Sequence, residues 1–128
     1  MHENSIAKEI VDAAFAIHTK LGPGLLESVY ESILAYELRK RGLRVERQLP
    51  VPVIWDEVQF DEGYRLDLLV EGKVLIEVKS VESVAPVHKK QVLTYLRLLD
   101  KRLGLLINFN DELIRNGTSR IVNGLEES

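Results

Sequence analysis

Tyr64-Arg65-Leu66-Asp67-Leu68-Leu69-Val70 and Val74-Leu75-Ile76-Glu77-Val78-Lys79 are two apolar, strand-like runs separated by Glu71-Gly72-Lys73. Between them they carry Asp67, Glu77 and Lys79, three charges that are unfavourable in hydrophobic strands unless paired or bound to a metal. Side chains two apart on a strand share a face, so Glu77 and Lys79 project together. Asp67 joins them if the hairpin closes through a three-residue loop around Glu71-Gly72, with Gly in the left-handed position. A two-residue loop would turn Asp67 to the opposite face. The expected geometry is two carboxylates and an ammonium converging at the sheet surface.

The order of the other elements follows from periodicity. Ile6, Ile10, Ala14, Ile17 and Leu21 predict a helix from about Ser5 to Leu21, capped by Asn4 or Ser5 and ended by Gly22-Pro23-Gly24. Leu26, Val29, Ile33 and Leu38 predict a second helix from about Leu25 to Arg41, stopped by Gly42. Leu43, Val45, Leu49, Val51 and Val53 alternate as a strand, and Pro50 and Pro52 put it at an edge. A turn near Asp56-Glu57 then leads to the Asp67 strand, giving a three-strand antiparallel meander. A helix from about Pro86 to Asp100 precedes a buried strand, Leu103 to Phe109, and Arg120-Ile121-Val122 suits a short last strand. A strand after a crossover helix runs parallel to its neighbour. The expectation is α/β: a mixed sheet flanked by helices, in the order ααβββαβ with a possible final strand.

The 128 residues suit one domain, 1–128, with 45% hydrophobic and 29% charged residues. No apolar run is long enough to span a bilayer, and Met1-His2-Glu3-Asn4 does not start a signal peptide. Cysteine is absent, which excludes disulfides, thiolate catalysis and Cys-based zinc sites and suits the cytoplasm. A net charge of -3 argues against a dedicated, tight nucleic-acid binder. The charge is uneven, however. Arg39, Lys40, Arg41, Arg44 and Arg47 form one basic stretch, and Lys89, Lys90, Arg97, Lys101 and Arg102 another. Such faces can bind phosphates on an acidic chain, or they can be solvated helix surfaces.

Asp67…Glu77-x-Lys79, on two strands followed by a helix and a strand, resembles the PD-(D/E)xK nuclease superfamily. Gly24-Leu25-Leu26-Glu27-Ser28-Val29-Tyr30 also reads G-x-x-E-x-x-Y, the signature of the GxxExxY protein family within it. The phrases Ala85-Pro86-Val87-His88 and Gly104-Leu105-Leu106-Ile107-Asn108-Phe109 extend the resemblance from about Ile6 to Val122. Leu66 stands where the superfamily name has proline. The resemblance implies a restriction-endonuclease-like core and a Mg²⁺- or Mn²⁺-dependent nuclease acting on DNA or, as second choice, RNA.

The resemblance also implies a site. Asp67, Glu77 and the Val78 carbonyl serve as metal ligands, Glu27 is a third carboxylate, and Lys79 acts on the attacking water or the phosphate charge. Gln91 and Tyr95 match the Q-x-x-x-Y element of RecB-type nucleases, with Gln91 meeting phosphate or water. Tyr30, Arg65 and Tyr95 are candidates for substrate contact. Such chemistry is physically coherent. Mg²⁺ takes hard oxygen ligands and keeps several waters, so one to three carboxylates suffice. Other readings stand beside these. Asp67 and Lys79 can be a structural ion pair, which is a poor source of stability. Glu27 can be a favourable N-terminal helix charge, Tyr30 and Tyr95 core aromatics, and Gln91 a surface residue. The competing functional reading is a non-catalytic nucleic-acid- or protein-binding module on the same fold. With no second domain for target recognition, substrate choice would come from a homo-oligomer or a larger assembly.

Overall fold

The computed structural model describes residues 1–127. Helix α1 spans Glu3–Leu21, and its side-chain cap is the ring of His2, which accepts from the Asn4 N–H, rather than Asn4 or Ser5. Gly22 and Gly24 take φ of +68° and +113°, conformations that side-chain-bearing residues avoid, and so break the chain before α2, Glu27–Lys40.

The main sheet has five strands: β1 Val45–Pro50, β4 Arg65–Val70, β5 Val74–Lys79, β6 Leu103–Asn108 and β7 Thr118–Val122. They lie in the order β1-β4-β5-β6-β7. The pairs β1–β4, β4–β5 and β6–β7 are antiparallel, and β5–β6 is parallel across helix α3, Pro86–Leu99. This is the mixed sheet with flanking helices that the periodicity predicts.

One expectation is corrected. The alternation from Leu43 to Val53 is not a single strand. Pro50 and Pro52 lack the N–H that a sheet ladder needs, and the chain leaves the sheet there. Val53–Trp55 (β2) and Val58–Phe60 (β3) then form a separate two-stranded hairpin. It turns at Asp56 and Glu57, both at positive φ (53° and 65°), as the favoured two-residue hairpin turn requires. A short helix, α4 (Ile114–Gly117), also precedes β7.

Two cores sandwich the sheet. On one side Ile6, Ile10, Tyr30, Leu34 and Leu38 of α1 and α2 pack on Leu68, Val70, Ile76 and Ile107. On the other, Val92, Tyr95 and Leu96 of α3 pack on Leu69, Leu75 and Leu106. Gly104 lets α3 approach, since a Cβ there would lie 2.6 Å from Val92 Cγ1. Strands β5 and β6 are therefore buried on both faces, which explains their continuous apolar runs. Glu77 is an ionisable residue inside that layer.

Candidate functional site

The β4–β5 hairpin closes through Glu71, Gly72 and Lys73, because Val70 faces Val74 and Leu68 faces Ile76. Continuing the register sets Asp67 opposite Glu77. The backbone ladder stops one pair short of them, and the two carboxylates take its place. Asp67 Oδ2 accepts from the Val78 N–H at 2.8 Å, and Glu77 Oε1 accepts from the Asp67 N–H at 3.3 Å. A strand residue's N–H and C=O share an edge, so the Val78 carbonyl faces the same gap.

Glu77 is only 5% exposed. Burial first, and the Asp67 charge second, push its carboxyl up to about 8, against the pull of Lys79. Lys79 sits two residues on, half-buried, on the same strand face. It makes no ion pair among the described residues, so the structural Asp67–Lys79 pair is not formed.

Helix α2 supplies the opposite wall. Glu27, in its first turn, accepts from the Ser80 N–H at 3.1 Å, and Ser80 Oγ donates to the Leu25 carbonyl at 2.8 Å. The helix start is thus clipped to the end of β5. Between them lies a cleft of about 730 Å³ lined by Gly24, Glu27, Glu31, Gln48, Asp67 and Ser80, among others.

Glu31 and Gln48 are absent from the residues expected at the site. Glu31 lies one turn after Glu27 on the same helix face, a spacing that makes it visible in the sequence once Glu27 is suspected. It is buried, accepts from Arg47 at 3.0 Å and from the Gln48 carboxamide at 2.8 Å, and lies near Asp67. Burial raises its carboxyl pKa, with the Asp67 charge adding to the effect and Arg47 opposing it.

The remaining expected residues separate. Tyr30 is wholly enclosed. It stacks on Phe109 at 4.4 Å, its hydroxyl donates to the Gly22 carbonyl, and the hydroxyl accepts from the Leu25 N–H at 3.2 Å. The hydroxyl thus holds the Gly-Pro-Gly break together. Arg65 is exposed and donates to the Gln48 carbonyl at 3.3 Å rather than to the acids. Tyr95 lies on the α3 side, edge-on to Tyr64, with its hydroxyl pushed up to about 12 by burial and then by the charge of Glu77. Gln91 is half-buried one turn earlier on α3 and makes no side-chain hydrogen bond among the described residues. The basic stretch on α2 and β1 is largely engaged internally: Arg41 with Glu37 and Glu9, Arg44 with Glu71, and Arg47 with Glu31. Lys89 and Lys90 are exposed on α3.

The donor set tests the fit of a metal. No three acidic or histidine side chains among the described residues converge in a metal-holding arrangement. A closed protein cage is therefore not built. Asp67 lines the open cleft and Glu77 is buried beside it on β5, so few hard oxygens are on offer, which fits an ion that binds through one or two carboxylates and keeps its waters.

No described helix is long and apolar enough to cross a membrane. No curated protein and no solved structure matches the chain. The family model of the PD-(D/E)XK nuclease superfamily matches residues 4–121. With the mixed sheet, the crossover helix and the paired Asp67 and Glu77 at the gap between β4 and β5, this match places the chain in the PD-(D/E)XK nuclease superfamily.

Proposed function

We propose that the chain, as one nuclease domain, hydrolyses phosphodiester bonds of DNA, or secondarily RNA, with a bound Mg²⁺ or Mn²⁺. The clasp in which Glu77 accepts from the Asp67 N–H and Asp67 from the Val78 N–H carries this reading. Two carboxylates held together in a buried strand repel each other and stay unfavourable until a cation or proton arrives. Asp67, Glu77 and the Val78 carbonyl would hold the ion, with Glu27 joining directly or through water. When bound, the ion supplies positive charge at the phosphate and lowers the pKa of its water.

The chain's own groups do the rest. Lys79, on the Glu77 face, orients or deprotonates the attacking water and offsets charge on the phosphate. Gln91 offers a carboxamide to phosphate or water from the α3 side. Tyr95 stays protonated through the whole working pH range and is therefore a donor. Lys89 and Lys90 hold the nucleic-acid backbone. The GxxExxY assignment is supported by what its residues do: Gly24 turns the chain, Glu27 clamps Ser80, and Tyr30 ties Gly22 to Leu25.

The test is calorimetric titration of Mg²⁺ and Mn²⁺ into wild type and Asp67→Asn. Binding by wild type that the variant loses supports the reading. No binding by wild type favours the non-catalytic module.

A further inference from the structure

We propose that Gln48 is a positioning residue for Asp67, acting through the carboxamide that joins Asp67 to Glu31. The inference rests on the reading of the cleft as a divalent-metal site. Strands β1 and β4 pair in one register on either side of Gln48, with Arg47 facing Leu68 and Leu49 facing Leu66. Gln48 and Asp67 would face each other, yet they are not paired. No residue is inserted there, so it is not a bulge. Instead Gln48 alone enters the left-handed region, at φ +52°. That conformation is unfavourable for glutamine and persists only where its surroundings hold it.

The strained backbone places the carboxamide in the cleft. Nε2 donates to Glu31 Oε1 at 2.8 Å and, more weakly, to Asp67 Oδ1 at 3.4 Å. Its two hydrogens therefore serve two carboxylates. The other Asp67 oxygen is already fixed by the Val78 N–H at 2.8 Å. Both oxygens of Asp67 are thus held, which sets the plane of the carboxylate and leaves lone pairs for a cation. Arg47 anchors the far end of the chain by donating to Glu31 Oε2 at 3.0 Å. A neutral donor suits this place. A glutamate would set a third acceptor against two others, and a lysine would bring a charge that competes with the metal.

The experiment measures Mn²⁺ affinity by calorimetry for Gln48→Gly and Gln48→Asn, together with the melting temperature of the metal-free proteins. Both residues accept positive φ, and neither can span from Glu31 to Asp67: glycine has no carboxamide and asparagine is a methylene short. Relief of the left-handed strain offsets the lost bond to Glu31, so the expected result is a melting temperature close to that of wild type, with Mn²⁺ affinity about 10- to 100-fold weaker. A structural role alone would move the melting temperature and leave the affinity. Wild-type affinity in both variants overturns the positioning role, and so does a loss of affinity that comes with a lowered melting temperature in both. If Asp67→Asn abolishes Mn²⁺ binding while the Gln48 variants bind normally, only the positioning role falls. If wild type does not bind Mn²⁺, the metal reading falls and takes this inference with it.

Discussion

Asp67 and Glu77 each hold a backbone N–H where the β4–β5 ladder stops: Asp67 Oδ2 takes that of Val78 at 2.8 Å, and Glu77 Oε1 takes that of Asp67 at 3.3 Å. The carboxylates replace ladder hydrogen bonds, so the strands part without leaving these donors orphaned. The gap and the acids are one feature, and removing either acid exposes an unmet buried donor.

Divalent metal is expected to stabilise the fold. Binding to the native state alone raises stability by about 2.7 kcal/mol at a hundredfold excess over Kd. Differential scanning fluorimetry with millimolar Mg²⁺ or Mn²⁺ should show a rise of several degrees in wild type and none in Asp67→Asn. A flat wild-type response contradicts the metal site.

The pH dependence has a definite sign. Glu77 titrates near 4.5 when unfolded and at about 8 when folded. Between these values the native state holds a proton that the unfolded chain has lost. Metal-free stability therefore falls as pH rises from about 4.5 to 8, by an amount on the order of a few kcal/mol, and levels off above that. Urea melts across the window check this. Glu77→Gln should flatten the slope, and an unchanged slope in that variant would assign the effect elsewhere.

Tyr30→Phe removes the hydroxyl that bridges Gly22 and Leu25. Leaving those backbone groups unmet should destabilise the protein by about 1–3 kcal/mol. The structural role predicts that KM for a nucleic-acid substrate stays unchanged. A raised KM at unaltered stability would restore Tyr30 to the substrate.

The position of the site was legible for a local reason. Residue parity across a three-residue loop is enough to set Asp67 opposite Glu77. Glu27 came from the superfamily resemblance, because its place at a helix start equally suits a plain N-terminal helix charge. Gln48 was not legible, because its side chain reaches the cleft only through a left-handed backbone that glutamine does not announce. Glu31 shares a helix face with Glu27, a signal present in the sequence, but an acid in mid-helix looks solvated until Arg47 and Gln48 fold over it. The separate β2–β3 hairpin was not legible because Val51 and Val53 continue the alternation of β1, although the chain leaves the sheet after Pro50. The aromatic at Tyr30 fits core and ligand roles equally well by type, and its enclosed hydroxyl is seen only in the fold.

Lys79 separates metal binding from chemistry. Lys79→Ala should keep Mn²⁺ affinity, since the ammonium is not a ligand, while hydrolysis falls by about 10²–10⁴. Equal loss of both would recast Lys79 as a structural partner of Glu77.

The central claim is tested most directly by incubating purified protein with end-labelled single-stranded DNA, duplex DNA, branched DNA and RNA, with Mg²⁺, with Mn²⁺ and with chelator. The prediction is cleavage of at least one substrate that requires metal, weakens as salt rises, and disappears in Asp67→Ala and Glu77→Ala. No metal-dependent cleavage of any substrate, by protein shown calorimetrically to bind the ion, would contradict nuclease action by this chain.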